Sequence, residues 1–132
     1  MKPAGYLFDT HALIFWSNKS VASNQFIHFF DEQDRQGVLY VSSISFWEIA
    51  LLVQKGRVTL PNVHGWQDEL FRRTNVRLLE PSITEMIDST LLPLHHKDPF
   101  DRILIAQAVQ HDLILVTQDQ MIQQYNIRHI WL

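Results

Sequence analysis

Short apolar runs alternate along this chain with longer segments in which apolar residues recur every three or four positions. The runs predict strands at residues 5–9, 38–42, 76–80, 113–117 and 127–132. The periodic segments predict helices at 10–17, 21–35, 43–56, 65–74, 82–92 and 98–111, with one more short helix after the fourth strand. Strands that alternate with helices indicate an α/β fold, in which helices cover both faces of a mainly parallel central sheet.

Polar residues mark the starts of several predicted helices. We expect Ser43 to cap the helix that carries Glu48. Ser82, with Glu85 three residues later, matches the capping box, in which each side chain accepts a hydrogen bond from the other residue's backbone. Asp98 is followed by a proline, which suits the first helical position, so it is an apt cap for the sixth helix.

Length and composition narrow the class of protein. The 132 residues favour one domain spanning 1–132, and 46% hydrophobic with 19% charged residues is typical of globular chains. The absence of cysteine excludes disulfides and thiolate metal ligands. Asp9 interrupts the apolar segment in 1–16, and no window reaches the ~18 uncharged apolar residues of a membrane span. We therefore expect a cytoplasmic protein with no secretion signal and no membrane contact.

Three acids stand alone in apolar or neutral surroundings. Asp9 and Asp119 lie at or just past the end of a predicted strand, and Glu48 lies within a predicted helix. The carboxyl ends of parallel strands share one edge of a sheet, so these carboxylates could converge there, and their repulsion would require a cation. The alternative is local: Asp9 and Asp119 can each cap a helix, and Glu48 can face solvent.

The segment "HHKDPFDRILIAQA" (95–108) offers a fourth acid for the same edge. Asp98 is explained fully as a helix cap. Asp101 falls at the third helical position, where it complements the helix dipole or points into a pocket at the sheet edge. We favour a structural role for Asp98 and a pocket role for Asp101.

The residue types indicate which cation would bind. Carboxylates without cysteine favour a hard cation such as Mg²⁺ or Mn²⁺. Zinc is the weaker alternative, because His95, His96 and His111 lack a zinc-specific spacing and H-E-x-x-H is absent. Four carboxylates around Mg²⁺ are typical of phosphodiester cleavage by an activated water. Neither G-x-G-x-x-G nor the P-loop pattern is present to suggest another chemistry.

Four segments together, "YLFDTHALIFW", "SSISFWEIALL", "HHKDPFDRILIAQA" and "LILVTQD", resemble the PIN-domain family. Over essentially the whole chain they look most like the VapC-type toxins of bacterial toxin–antitoxin pairs. The resemblance implies a three-layer α/β/α PIN fold and a Mg²⁺- or Mn²⁺-dependent endoribonuclease. The residues that match the family's four acids are Asp9, Glu48, Asp101 and Asp119.

Further residues are implied by the same resemblance. Thr117 matches a hydroxyl position that helps to order the site, while Asp98 and Arg102 match the "DPFDR" variant and are expected to support the site or contact RNA. Because the net charge is −3, contacts to the RNA backbone must be local, and the candidates are Lys55, Arg57, Lys97 and Arg102.

The resemblance also implies protein partners. Toxins of this kind are paired with an antitoxin that blocks the site, and a groove between 12–16 and 46–53 could accept its helix, although most of those apolar residues are expected in the core. A homodimer is also expected.

Three alternatives remain open. One is a PIN fold that binds without catalysis, and another is a nuclease of RNA maturation. The third is a phosphoacceptor signalling domain, which normally shows paired acids after the first strand and a lysine near the end, both of which this chain lacks.

Overall fold

One parallel sheet of five short strands organises the molecule. The computed structural model describes residues 5–132; residues 1–4, which begin the segment expected not to be a secretion signal, lie outside the described residues. In chain order the elements are β1 (Tyr6–Phe8), α1 (Thr10–Ser17), α2 (Asn24–Arg35), β2 (Leu39–Ser42), α3 (Ser43–Gln54), α4 (Val63–Arg73), β3 (Arg77–Leu79), α5 (Ile83–Thr90), α6 (Pro99–Gln110), β4 (Ile114–Val116), a 3₁₀ turn (Ile122–Gln124) and β5 (His129–Ile130).

The strands lie in the order β3-β2-β1-β4-β5, and each neighbouring pair is parallel. The predicted parallel sheet is therefore confirmed. Each strand is shorter than its apolar run, because the outer residues of a run continue past the last paired residue into the loops. All the loops that follow the carboxyl ends of the strands leave from one edge of the sheet, where ligands bind in open α/β folds.

Helices cover both faces of the sheet. In β1, Leu7 and Phe8 are both fully buried but point to opposite faces, since successive residues of a strand alternate. Phe8 packs with α1, α2, α3 and α4 in one core, and Leu7 packs with α6 and β4 in the other. This arrangement is the predicted three-layer α/β/α architecture.

The caps explain where the helices begin, and they correct three predicted starts. The cap of α3 is Ser42, not Ser43, because Ser42 is still extended and its hydroxyl accepts a hydrogen bond from the Ile44 N–H at 3.2 Å. Helix α2 starts at residue 24, after a Ser23 cap, rather than at 21. Helix α4 starts at residue 63, after an Asn62 cap, rather than at 65.

Other predicted features are confirmed. Ser82 caps α5 in a complete capping box with Glu85, and Asp98 caps α6 with a proline at its first position. Gly37 and Gly56, which follow α2 and α3, have positive φ angles of 71° and 73°, a conformation that glycine adopts without strain. Within residues 5–132 we find no helix with the length and apolar character needed to cross a membrane.

Candidate active site

Asp9 immediately follows β1, the central strand, at the carboxyl edge of the sheet. Its side chain is almost fully buried, and Oδ1 accepts a hydrogen bond from the Ala12 N–H at 2.7 Å, so Asp9 caps α1. Thr117 donates a second side-chain hydrogen bond to this carboxylate. Asp9 is therefore a cap and also a buried acid at the edge where ligands bind; the two roles do not compete.

Glu48 lies in the middle of α3, after β2, and is half-buried rather than turned to solvent. The hydroxyl of Thr10 donates a hydrogen bond to Glu48 Oε1 at 2.5 Å. Thr10 is itself buried and lies 3.1 Å from the hydroxyl oxygen of Ser45, one turn before Glu48. These two hydroxyls tie α1 to α3 and fix the position of the Glu48 carboxylate.

The first turn of α6 places two further acids at this edge. Asp98 Oδ1 accepts the Phe100 N–H at 2.9 Å, so Asp98 is the helix cap that the sequence predicts. Asp101 lies at the third helical position and its side chain is only 14% exposed. Its Oδ2 atom contacts His96 Nε2 at 2.9 Å, so the carboxylate points away from its own helix start.

Asp119 follows β4, the strand that pairs with β1. Its Oδ1 atom accepts N–H donors from Met121 at 2.8 Å and Ile122 at 3.3 Å, while Oδ2 lies 3.2 Å from His96 Nε2. The backbone N–H of Asp119 donates to the hydroxyl of Thr117 at 3.0 Å. Thr117 is fully buried and orders both Asp119 and Asp9, in keeping with the role implied for it.

Burial and neighbouring carboxylates raise the pKa values of three of these acids, Asp9, Glu48 and Asp101. Burial raises the pKa of Asp101 to about 8, and the charges of Asp98, Glu48, Asp9 and Asp119 add to the effect in that order. Burial is also the main cause of the raised pKa of Asp9 and of Glu48, against which the hydrogen bonds from Thr117 and Thr10 act. Residues 9, 48, 98, 101 and 119 thus form one electrostatic cluster.

His96 bridges two of these acids, and its role was not predicted from the sequence. Its Nδ1 atom accepts the Asp98 N–H at 3.1 Å, so in the neutral ring the proton lies on Nε2. That Nε2–H faces Asp101 at 2.9 Å and Asp119 at 3.2 Å. As placed, His96 is a hydrogen-bond donor to the carboxylates, because binding a metal through Nε2 would require the other tautomer.

Arg102 supports the loop that carries His96. Its guanidinium is buried and donates to the carbonyl oxygens of Leu92, Pro93 and His96 at 2.9–3.1 Å. Of the two roles expected for Arg102, this geometry fits the supporting one and leaves the side chain inaccessible to RNA. Asp98 likewise supports the helix start. Lys55, Arg57 and Lys97, the other candidates for RNA contacts, are exposed.

The other histidines named as weaker zinc candidates lie elsewhere. His95 packs edge-to-face on Tyr125, with ring centroids 5.0 Å apart, and His111 Nε2 lies 3.0 Å from Glu85 on the far side of α6. Among the described residues, one group of three ligand atoms lies within 4.8 Å of one another: those of His96, Asp101 and Asp119. Oxygen atoms dominate the site, which therefore fits a hard divalent cation.

Comparisons with known proteins agree with this geometry. The family model described as PIN domain matches residues 6–127. Ribonuclease VapC22 of Mycobacterium tuberculosis is 30% identical over an alignment of 125 residues, and the match covers 90% of each chain.

Solved structures share the fold. VapBC2 from Rickettsia felis bound to a promoter DNA fragment matches with a TM-score of 0.71 at 15% identity, covering 96% of this chain and 97% of that one. DNA-bound VapBC from Salmonella typhimurium gives 0.71 at 15% identity and 98% of both chains. PAE2754 from Pyrobaculum aerophilum gives 0.66 at 17% identity, covering 97% and 89%.

The signalling-domain alternative is therefore wrong, because a different family model covers almost the entire chain. The sheet order, the gathered acids and the match to a VapC ribonuclease all support one assignment. This chain belongs to the PIN-domain family and is related to its VapC-type ribonucleases.

Proposed function

We propose that this protein is a metal-dependent endoribonuclease, the toxin of a toxin–antitoxin pair, with residues 1–132 acting as one PIN domain. The observation that carries the proposal is the convergence of Asp9, Glu48, Asp101 and Asp119 at one sheet edge, where burial, with a further contribution from the neighbouring carboxylates, raises the pKa of Asp101 to about 8. A site built this way is costly to leave without a cation. The 30% identity to a ribonuclease supports RNA as the substrate.

The same four acids would hold the cation, Mg²⁺ or Mn²⁺. When bound, such a cation would polarise the phosphodiester and lower the pKa of a bound water that attacks phosphorus. The chain's own residues prepare the site. Thr117 and Thr10 hold the carboxylates of Asp9 and Glu48 in place. His96 keeps Asp101 and Asp119 together through Nε2–H, which favours oxygen-ligated Mg²⁺ or Mn²⁺ over zinc.

A cognate antitoxin is the protein partner that we propose. The structure buries Ala12, Leu13, Trp16 and Ile49 in the core, so little of the groove anticipated between 12–16 and 46–53 is free. An open cavity of about 490 Å³ lies instead beside α1, where Trp16, Trp66, Lys19 and Arg73 contribute to its lining. The lining also holds Asp31 and Glu69, which pair with Lys19 and Arg73, so this mixture of indole rings and paired charges suits an amphipathic helix. The solved VapBC complexes support a partner of this kind.

We also propose that the protein forms a homodimer through α5. This helix and the residues after it leave large apolar side chains exposed, with Ile83 at 75%, Ile87 at 57% and Leu91 at 75%. Adjoining exposed apolar side chains of this kind are typical of a protein–protein interface. Because RNA and the antitoxin are found where the protein is made, we propose that it acts in the cytoplasm.

The test is cleavage of structured and unstructured RNA by the antitoxin-free protein in Mg²⁺, Mn²⁺ or EDTA. We expect cation-dependent cleavage that Asp9→Asn and Asp101→Asn abolish while the fold is retained. Asparagine caps helices as well as aspartate does, so Asp9→Asn isolates the loss of charge from the loss of the cap.

Other outcomes would select between the alternatives. If Mn²⁺ binds but no RNA is cut, the PIN fold is acting as a binding module. If only one structured precursor is processed, a nuclease of RNA maturation is favoured over a toxin. If Mn²⁺ does not bind at all, the acids are helix caps and the proposed function is wrong.

A further inference from the structure

An exposed tryptophan stands at the rim of the carboxylate cluster, and neither the fold nor the cation site accounts for it. Trp47 is 60% exposed, whereas Trp16, Trp66 and Trp131, the other three tryptophans, are buried or half-buried. It immediately precedes Glu48. It lies four residues after the start of α3, roughly 6 Å along the helix axis from the carboxyl end of β2. An indole ring in this position is therefore beside the site, on the solvent side.

The ring is held by a second aromatic residue from the other side of the cluster. The ring centroids of Trp47 and Phe100 are 5.1 Å apart, with an interplanar angle of 83°. Phe100 immediately precedes Asp101, so each ring neighbours one acid of the cluster. An edge-to-face contact covers at most one face of the indole and leaves the other free. The contact thus fixes the indole of α3 against the start of α6 and leaves at least one of its faces open.

The surroundings distinguish this surface from an interface between proteins. Along α3, Trp47 is the one large apolar side chain with high exposure, and the residue that follows it, Glu48, is one of the acids of the cluster. A protein interface presents several contiguous apolar side chains, as α5 does. An exposed indole beside a site proposed to hold a cation and an RNA phosphate is typical of a surface on which a nucleobase stacks.

We propose that Trp47, supported by Phe100, stacks on an unpaired base of the RNA next to the cleaved phosphodiester. This inference rests on the proposed ribonuclease activity and narrows its substrate to RNA that is single-stranded at the cut. Bases inside a duplex are covered by their neighbours, so only a loop, bulge or single strand can present a free base face to the indole. Lys97 then contacts the RNA backbone through charge alone.

The test measures binding in the Asp9→Asn background, which prevents cleavage and keeps the helix cap. The probe is a single-stranded decaribonucleotide carrying 2-aminopurine at one position, since this base loses fluorescence when it stacks. We expect quenching on binding, and a Kd that rises by about tenfold to hundredfold in Trp47→Ala, the loss that one stacked base produces. Trp47→Phe retains a ring and should recover most of the affinity, whereas Trp47→Leu should not.

Two controls separate stacking from charge and from general surface effects. Val109→Ala removes an exposed apolar side chain from the far end of α6 and should leave the Kd unchanged. Lys97→Ala should weaken binding and reduce its dependence on salt, while Trp47→Ala should leave the salt dependence as it was. A blunt duplex of the same sequence should bind weakly, and with the same Kd, to the Asp9→Asn protein with and without Trp47→Ala.

Several results would overturn the proposal. One is a Kd in Trp47→Ala within about twofold of the parent, and another is full affinity in Trp47→Leu, which would mean that any apolar group serves. A change of oligomeric state in Trp47→Ala with unchanged RNA binding would make the ring a protein contact. A protein that lacks the proposed nuclease activity would be recognised separately, because it would not hydrolyse bis(p-nitrophenyl) phosphate in Mn²⁺. That reaction needs the acids, but its substrate carries no nucleobase that could stack on Trp47.

Discussion

Helices α5 and α6 begin with the same pattern, a polar cap followed three residues later by an acid, yet the two acids serve different purposes. In α5, Glu85 Oε1 accepts the N–H of its own cap, Ser82, at 2.8 Å, and Ser82 accepts the Glu85 N–H at 3.0 Å. Glu85 Oε1 therefore stabilises the start of its own helix. In α6, the N–H of the cap Asp98 donates to His96 Nδ1 instead. Asp101 is left free to face other acids.

The difference shows how a site is made from an ordinary helix start. Two small changes are enough. An aspartate at the third position has a shorter side chain than glutamate, and a histidine from the preceding loop takes the N–H that the acid would otherwise accept. The same contact places the proton of the neutral histidine ring on Nε2, and this Nε2–H points at the Asp101 carboxylate. The same structural motif thus supplies an acid to the proposed cation site in α6 and a helix cap in α5.

The largest expected effect is a difference in RNA cleavage between substitutions of Asp101 and of Glu85. Asp101→Asn removes a proposed cation ligand and should reduce RNA cleavage by at least about 100-fold, since the loss of mere supporting groups already costs 10–100-fold. Glu85→Gln, the matched change in α5, should leave the specific activity of the folded protein unaltered. The measurement is initial cleavage rate at saturating Mg²⁺. Equal losses in both variants would mean that the two helix starts are not functionally distinct.

The pH dependence of the free energy of unfolding should show that the charged form of Asp101 destabilises the cation-free protein. Its pKa is raised from 3.8 to about 8 in the folded protein, so the folded state binds more protons than the unfolded state between these values. The free energy of unfolding in EDTA should therefore fall as pH rises from about 4 to about 8.

Asp101→Asn should reduce this fall, to which Asp9 and Glu48 also contribute, and should stabilise the cation-free protein at pH 8 by up to several kcal/mol, since each pKa unit is worth about 1.4 kcal/mol. Urea unfolding at a series of pH values measures it. Addition of Mn²⁺ should stabilise the parent protein and not the variant. A variant that loses stability at every pH would contradict the assignment.

His96 has two contacts that can be broken one at a time. His96→Ala should weaken Mn²⁺ binding by roughly tenfold, the lower part of the range for groups that orient metal ligands. His96→Asn keeps an acceptor for the Asp98 N–H, whereas His96→Gln keeps a donor for Asp101. If the donor holds the acids together, Gln should recover more affinity than Asn in calorimetric titrations. The reverse order would assign the role of His96 to the helix start alone.

The smallest effect concerns the helix that keeps its acid. Glu85→Ala breaks the capping box and should destabilise the protein by about 1 kcal/mol, a typical value for a lost cap. Mn²⁺ affinity should not change. Chemical denaturation and titration of the same sample give both numbers. A change in Mn²⁺ affinity would mean that α5 and α6 are coupled through Glu85, which is buried and contacts His111 at the end of α6.

The sequence predicts the layers of the fold and the four acids, because each leaves a local signal. Apolar runs and periodic segments identify the elements, and Asp9, Glu48 and Asp119 stand alone among uncharged neighbours. Helix starts are less well predicted where polar residues occur in series, as at Ser42 and Ser43, because only the backbone conformation decides which one is the cap.

The supporting contacts could not be predicted, because they join residues that are distant in the chain. Thr10 reaches Glu48 across 38 positions, and His96 reaches Asp119 across 23. The choice between His95 and His96 depends on the path of their loop, which the buried Arg102 holds through backbone carbonyls. Nothing local in "HHKD" distinguishes the two rings.

The strand order has a consequence for how the chain folds. The central strand β1 pairs with β2 on one side and β4 on the other, so Tyr6 meets Leu39 and Ile114. Such non-local pairings slow folding, because long loops must close before they form. Asp9 and Asp119 follow β1 and β4, so the step that pairs these two strands is also the step that brings the acids together. We therefore expect the site to assemble only when β1 and β4 pair, and a bound cation to slow their separation.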